Sequence, residues 1–350
     1  MTKIAWISRP SGPNLNHRGY IESLGAEIIY IDRHDELPFF QRFKKWIKSA
    51  FMFSRKDDYD VLVSIDIIYP LIFAKLLGRI PRKTKLVCFH ATETLYFLKT
   101  GFYSKSTEKF LLILLRKFQY HVCVSEYLTN MLVEFNVNEK QIYTIFNGVR
   151  NTRIEALRKV TPALETKKIV FIGNLYSGWR LWYKGIDLML EAYVKAKKQI
   201  PQLELHIIGQ SDPKTQQEQL KKYVPKEYRH DIKFLGRVNN FAALLNDYAL
   251  YLHCARGEAF GISVIEAMMA SLPVLVSEET GAKEVVKRVS MDLLFKLDSD
   301  EIALKISNYM KISMEEKQRF SRQCRIACEP NTQDNAVVRI KEVFDIISSK

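Results

Sequence analysis

The sequence has no run of eighteen uncharged apolar residues, which excludes a membrane-spanning helix. It also lacks the basic start and apolar stretch of a secretory signal, because the strand-like KIAWIS begins at Lys3. Low-complexity tracts and repeats of short fixed period are missing, so a solenoid is not expected. Cysteine is sparse: Cys88, Cys123, Cys254, Cys324 and Cys328 are odd in number and fit no zinc spacing. They read as reduced, buried thiols of a cytoplasmic protein. Acidic groups are in deficit, with 39 Asp and Glu against 53 Lys and Arg, for a net charge of +14. Residues 1–150 hold 22 basic and 14 acidic groups, and residues 151–350 hold 31 and 25. That surplus favours an anionic partner: nucleic acid, an anionic membrane or a phosphorylated small molecule.

What is present is globular. The 350 residues are 47% apolar and 26% charged, which suggests two α/β domains. Strand-like runs at 3–8, 27–31, 61–65, 85–90, 121–125 and 142–146 alternate with helical spacing at 39–53, 68–77, 108–116 and 128–135. Such alternation implies right-handed crossovers and a parallel sheet. A charged segment at 150–168, with Thr161-Pro162, reads as a linker. The alternation then restarts, with strands at 168–172, 204–208, 232–235, 249–253 and 273–277. The intervening helices are at 186–200, 212–223, 240–248, 263–270 and 282–289, and a final helix spans 333–348. Two doubly wound domains are therefore expected, at 1–160 and 161–332, with 333–350 packing back on the first. A ligand is expected in the cleft at their strand carboxyl ends.

Three passages carry chemistry. In the first, Gly257-Glu258-Ala259-Phe260-Gly261-Ile262-Ser263-Val264-Ile265-Glu266 follows a strand and opens a helix. Helix amides there make an anion site, which Gly261 lets a ligand approach closely. Glu266 is placed to accept hydrogen bonds from the vicinal hydroxyls of a ribose. Ser263 and Glu266 fit a capping box equally well, in which the carboxylate only caps its helix. In the second, Gly173-Asn174 ends a strand, and a loop bearing Arg180 and Lys184 leads to a helix near Ile186. These cations could neutralise a leaving diphosphate, or be solvated on an exposed loop. Trp179 and Trp182 flank Arg180 and read as packing on the neighbouring domain or on ligand. In the third, His90 ends the strand of Cys88-Phe89-His90 and is a candidate partner for a sugar hydroxyl, although a lone His is more often structural.

Together, in this order, the passages resemble retaining glycosyltransferases of family 4, whose fold is GT-B. The family's two acids separated by seven residues stand here as Glu258 and Glu266, followed by Ala267-Met268-Met269-Ala270-Ser271-Leu272-Pro273 and a buried strand. Thr280-Gly281-Ala282 matches its phosphate-side turn, Lys184-Gly185 its phosphate lysine, and Phe234-Leu235-Gly236-Arg237-Val238 its base-contacting strand end. Asn147-Gly148-Val149 matches the turn before the linker. The resemblance runs from about His90 to Val286. Two departures stand out. Asn174 occupies the family's usual arginine position, and the loop to Lys184 is longer, so Arg180 is a candidate substitute. The amino-terminal glycine pair is reduced to Ser11-Gly12-Pro13, followed by a short helix at 17–24.

The resemblance implies transfer of a sugar from a nucleoside diphosphate sugar with retention at the anomeric carbon. No cofactor is implied beyond that donor, and no metal cluster is visible. Lys184, Arg180 and the amides near Gly261–Ser263 would stabilise the departing diphosphate, together with the residual Gly12 turn. Glu258 and His90 would hold the sugar, Glu266 the ribose, and Val238 would border the base. Phe260, Ile262 and Asn174 fall on the same donor-binding loops.

The acceptor is a separate question. The span 39–53 places Phe39, Phe43, Trp46, Ile47, Ala50 and Phe51 on one helical face, with Arg42, Lys44, Lys45 and Lys48 on the other. No acid occurs from Leu37 to Lys56. This suits an interfacial helix on anionic lipid or, equally, a core-packing helix with a solvated basic face. The expectation is an enzyme peripheral on the inner face of the cell membrane, acting on a lipid-linked or other glycan acceptor. Alternatives are a scaffold that binds nucleotide without turnover and a sugar-nucleotide epimerase. Nucleic acid is disfavoured because the basic excess is dispersed and no reader motif is present.

Overall fold

In a computed structural model, residues 2–8, 10, 15–32, 39–65, 68–175 and 178–350 are described. Gly12 and its neighbours lie outside them. The chain divides into two compact units, 1–148 with 333–350, and 149–332. The boundary thus falls before the expected 160, because segment 150–168 is not an open linker. It forms the helix Asn151–Arg158, whose Ile154 and Leu157 are buried and which packs on the helix Ile262–Met269 of the second unit.

The first unit is a six-stranded parallel sheet. Its strands are β1 (Ile4–Ser8), β2 (Glu27–Tyr30), β3 (Val61–Ser64), β4 (Lys85–His90), β5 (Tyr120–Cys123) and β6 (Ile142–Thr144). Their spatial order is β2-β1-β3-β4-β5-β6. Parallel strands covered on both faces must be apolar throughout, and β1 and β3 are buried at every position. Trp6 is wholly buried, 5.2 Å from Phe89 and 6.4 Å from Phe344 of the helix Gln333–Ser349. Lys85 Nζ donates to the carbonyls of Ile347 and Ser348 (2.8 and 2.9 Å), pinning that helix at the end where its dipole attracts a cation.

The helix Phe39–Ala50 is a packing helix. Trp46 stacks on Tyr69 at 4.0 Å, and Phe43 meets Phe73 edge-on at 5.4 Å, both on the helix Ile68–Leu76. Its aromatic face is therefore spent on a neighbour instead of being presented as one apolar stripe. Phe51 lies beyond the helix and is exposed, and the Phe39 side chain falls outside the described residues.

The second unit repeats the plan with β7 (Lys168–Ile172), β8 (Glu204–Ile208), β9 (Ile232–Gly236), β10 (Leu250–His253), β11 (Val274–Ser277) and β12 (Leu294–Phe295). All are parallel, in the order β12-β11-β10-β7-β8-β9. The chain runs outward from β7 to β9 and then returns to β10. The carboxyl ends of β7 and β10 thus meet at the switch point, where a doubly wound sheet leaves a crevice for ligand. The predicted loop before Lys184 holds a short helix, Gly178–Tyr183. The five cysteines are buried and free.

Candidate active site

The site of the second unit is built on the segments leaving β7 and β10. Gly185 has φ +67°, and a Cβ there would lie 2.0 Å from the Cys254 carbonyl oxygen, so only glycine permits this crossing. The crossing carries Lys184 onto the loop after β10, where its Nζ donates to Glu258 Oε2. The two side chains are 12% and 18% exposed. The cation assigned to diphosphate and the carboxylate assigned to sugar are thus paired with each other. Burial alone would push the Glu258 carboxyl up, but Lys184 and His253 together overcome it and hold the group well below the ordinary carboxylate range. Glu258 is ionised throughout the physiological range.

A third group stands behind the pair. His253 Nε2 is 3.6 Å from Glu258 Oε2, too far for a full hydrogen bond. Its Nδ1 lies 3.2 Å from the Tyr251 hydroxyl, which donates to Ser263 Oγ at 2.8 Å. Burial lowers the His253 pKa. Alternation along β10 puts Tyr251 and His253 on one face, so a relay of side chains links Glu258 to the first turn of the helix Ile262–Met269.

Glu266 does not complete a capping box. The helix is opened by Gly261 at φ +92°, with no side-chain cap, and Arg153 Nη1 donates to Glu266 Oε1 at 2.5 Å. Burial raises the Glu266 pKa, outweighing the opposing charges of Arg153 and Arg150. The Arg153 guanidinium also lies over the Phe241 ring at 5.0 Å. Val238 follows β9 and is half-buried, as are Ile262 and Ser263. The Phe260 side chain is 2% exposed, which leaves its backbone as what it offers a ligand. Asn174 is exposed at the end of β7, and the Arg180 guanidinium lies 4.8 Å over the Trp179 ring.

His90 belongs to the first unit and is 6% exposed. Its Nε2 is 3.0 Å from His121 Nδ1, and its Nδ1 is 3.9 Å from Cys88 Sγ. Among the described residues, Cys88, His90 and His121 are the group that could hold a metal ion, with ligand atoms within 4.8 Å of one another. At 3.0 Å, however, the two nitrogens share a proton directly. Burial holds His90 well below its ordinary pKa and His121 at about 4, so both rings are neutral. His121 Nε2 is buried with no hydrogen-bond partner among the described residues. An orphaned N–H is rarer in a protein interior than an orphaned lone pair, which places the His121 proton on Nδ1, donating to His90 Nε2. The His90 proton then sits on Nδ1 and points to Cys88. Both ring nitrogens of His90 are engaged within its own unit.

Two family models match the chain: Glycosyltransferase Family 4 over residues 8–153, and Glycosyl transferases group 1 over residues 153–326. The chain belongs to this family of glycosyltransferases. It is 27% identical over 268 residues to an uncharacterized glycosyltransferase of Methanocaldococcus jannaschii, covering 70% of this chain and 64% of that one. It is 30% identical over 189 residues to the O-antigen biosynthesis glycosyltransferase WbnH of Escherichia coli, covering 53% of this chain and 48% of that one. The chain thus spans less than two-thirds of either relative. The crystal structure of Anabaena HepE in complex with UDP and glucose shares the GT-B fold, with a TM-score of 0.73 at 16% identity and full coverage of both chains.

Of the expected site residues, the fold pairs Lys184 with Glu258, whereas Glu266 pairs with Arg153. Sequence reasoning missed Arg153, His253, Tyr251 and His121. A signal existed for His121. Parallel β4 and β5 set Cys88 opposite His121, and the period of two then puts His90 on the same face.

Proposed function

We propose that the protein is a retaining glycosyltransferase that moves a sugar from a nucleoside diphosphate sugar to a glycan acceptor. The observation that carries this reading is the part-buried Lys184–Glu258 pair beside the open end of the helix Ile262–Met269. As the glycosidic bond breaks, negative charge grows on the diphosphate and positive charge on the ring. Lys184 is the cation for the first, helped by the helix amides and Arg180. Once Lys184 turns to phosphate, the Glu258 oxygens it held are released to accept from sugar hydroxyls. Glu266, oriented by Arg153, takes the ribose hydroxyls, and Val238 borders the base. The cations that offset the leaving charge are then side chains, and transfer proceeds without a metal. A uridine nucleotide is the first donor to test, because HepE holds UDP in the same fold.

The experiment is a thermal-shift screen across UDP-, GDP- and ADP-sugars. A donor present at about a hundred times its Kd stabilises the fold by about 2.7 kcal/mol. One sugar nucleotide should raise the melting temperature, and Lys184→Ala should slow transfer more than it weakens binding. Absence of any shift refutes the reading, whereas binding without hydrolysis or transfer favours a nucleotide-binding scaffold.

For the acceptor we infer a lipid-linked glycan at an anionic membrane. Among the described residues no helix is long and apolar enough to cross a bilayer, and the contact proposed here is peripheral. Lys44, Lys45 and Lys48 are exposed on the helix Phe39–Ala50, and Phe51 and Met52 are exposed just beyond it. Arg79 lies over the Phe51 ring at 5.1 Å, bringing exposed Leu76 and Leu77 into the same neighbourhood. Cations around a small apolar tip match the two attractions of an interfacial segment. The WbnH relative, named for O-antigen biosynthesis, supports glycan assembly as the setting. Co-sedimentation with anionic vesicles should be lost on reversing the three lysines. Equal sedimentation of that variant removes the membrane reading.

A further inference from the structure

We propose that the helix Gly178–Tyr183 is a carbohydrate platform, on which Trp179 and Trp182 stack a pyranose ring of the acceptor beside the sugar-transfer site. The inference rests on the donor site proposed above and adds to it a binding surface for the second substrate.

The helix turns two residues inward and two outward. Leu181 and Tyr183 are 2% and 3% exposed, whereas Trp179 and Trp182 are 40% and 45% exposed. Residues three apart lie on the same side of a helix, so both indoles emerge on one side of this turn, each beside a guanidinium. Core packing does not require them, since Leu181 and Tyr183 already supply the buried contacts of this turn. Two half-exposed indoles on a six-residue helix represent a large apolar area left in water, with a cost that an occupant would relieve.

The surface is also held rigid. The Arg256 guanidinium lies 4.9 Å over the Trp182 ring, and it cannot wander because both its terminal nitrogens bond Asp187 at 2.8 Å. Arg256 also donates to the Trp182 carbonyl. Arg180 lies over Trp179, which in turn is 5.8 Å from the Tyr183 ring. Preorganisation of this kind lowers the ordering cost of binding.

Continuity with the catalytic loop points to the occupant. The Tyr183 hydroxyl donates to the Gly257 carbonyl, the Arg256 amide donates to the Tyr183 carbonyl at 2.8 Å, and Lys184 follows at once. The indoles are therefore tied to the segment that carries Glu258. A pyranose presents an apolar face of C–H bonds and a rim of hydroxyls, which suits an electron-rich indole bordered by guanidinium donors. A bilayer fits less well, since burying this one turn would carry the Asp187–Arg256 and Glu258–Lys184 pairs toward lipid.

The test uses maltotriose, cellotriose and chitotriose as probes, because stacking on C–H faces tolerates differences in linkage. Saturation-transfer NMR on the wild-type protein should show millimolar binding of at least one, with the strongest transfer to ring C–H protons. Trp179→Ala and Trp182→Ala should each weaken it several-fold, the double variant should abolish it, and phenylalanine at both positions should restore part. The thermal shift given by the sugar-nucleotide donor should persist in every variant, which separates failure here from failure of the donor reading. The proposal is overturned if no trisaccharide binds the wild type, if the double alanine variant binds undiminished, or if the donor shift disappears together with sugar binding. Vesicle binding that depends on the two tryptophans, without trisaccharide binding, would overturn it by assigning the surface to lipid.

Discussion

The two units share a sheet plan but place opposite chemistry at their strand ends. In the second unit, β10 delivers a buried carboxylate that stays ionised because a lysine lies against it. In the first, β4 delivers a buried imidazole that stays neutral because burial disfavours its charge and the groups bonded to it among the described residues are another imidazole and a thiol. Desolvation acts on both sites, and a counter-charge decides the outcome. The second unit thus holds a pair of opposite charges at its strand ends, whereas the first holds a neutral, buried imidazole pair.

Removing the counter-charge should have the largest effect. Lys184→Ala strands Glu258 without a partner, and breaking a buried pair on one side costs about 3–5 kcal/mol. Glu258→Gln in the same chain should recover most of that stability in denaturant unfolding, because the pair is then removed whole. Neither variant should transfer sugar well. For Lys184→Ala a loss of about 10²–10³ in turnover is expected, comparable to deleting one oxyanion donor. A double variant no more stable than the single would show that the pair contributes little to folding.

Glu266 sharpens the contrast within the second unit, since burial raises its pKa while that of Glu258 is lowered. As pH falls, Glu266 takes up a proton before Glu258, and under the proposed ribose role it would then lose its charged acceptor. Donor affinity, measured by calorimetry, should weaken toward acid with Glu258 still ionised. Glu266→Gln should lower affinity by about tenfold, the loss of one charged hydrogen bond, and remove that acid limb. An unchanged pH profile in the variant would detach Glu266 from the ribose.

Legibility in the sequence followed the range of the interaction. Buried parallel strands such as β1 and β10 stand out because every position but the last is apolar, and Gly185 and Gly261 mark tight turns beside them. The two-residue β12 and the single turn Gly178–Tyr183 are too short to display a period. For Glu266 the local pattern left a cap and a ligand contact equally open and did not show its pairing with Arg153. That partner lies 113 residues away, and local pattern carries no information about it. Phe39–Ala50 shows the same limit, since amphipathy reveals an apolar face without saying what covers it.

The smallest expected effect belongs to the imidazole pair. In the unfolded chain His121 takes up a proton near its ordinary 6.5, while the folded protein resists until about 4. Its contribution to stability is full above 6.5 and declines as pH falls between those values. The limit is about 3 kcal/mol at about 1.4 kcal/mol per unit. Glu258 has a depressed carboxyl pKa, so it gives up its own contribution only below its unfolded value of 4.5. On acidification, hydrogen exchange in β4 and β5 should therefore quicken as pH falls below 6.5, and β10 should respond in the same range, because it carries His253, whose pKa burial also lowers. His121→Phe should flatten the response of the first unit and leave the second unchanged. In the wild type, 15N spectra should show His90 protonated on Nδ1 from pH 8 to 5.5, whereas a signal moving with an ordinary histidine titration would mean that a charge, and not a neutral pair, faces the end of β4.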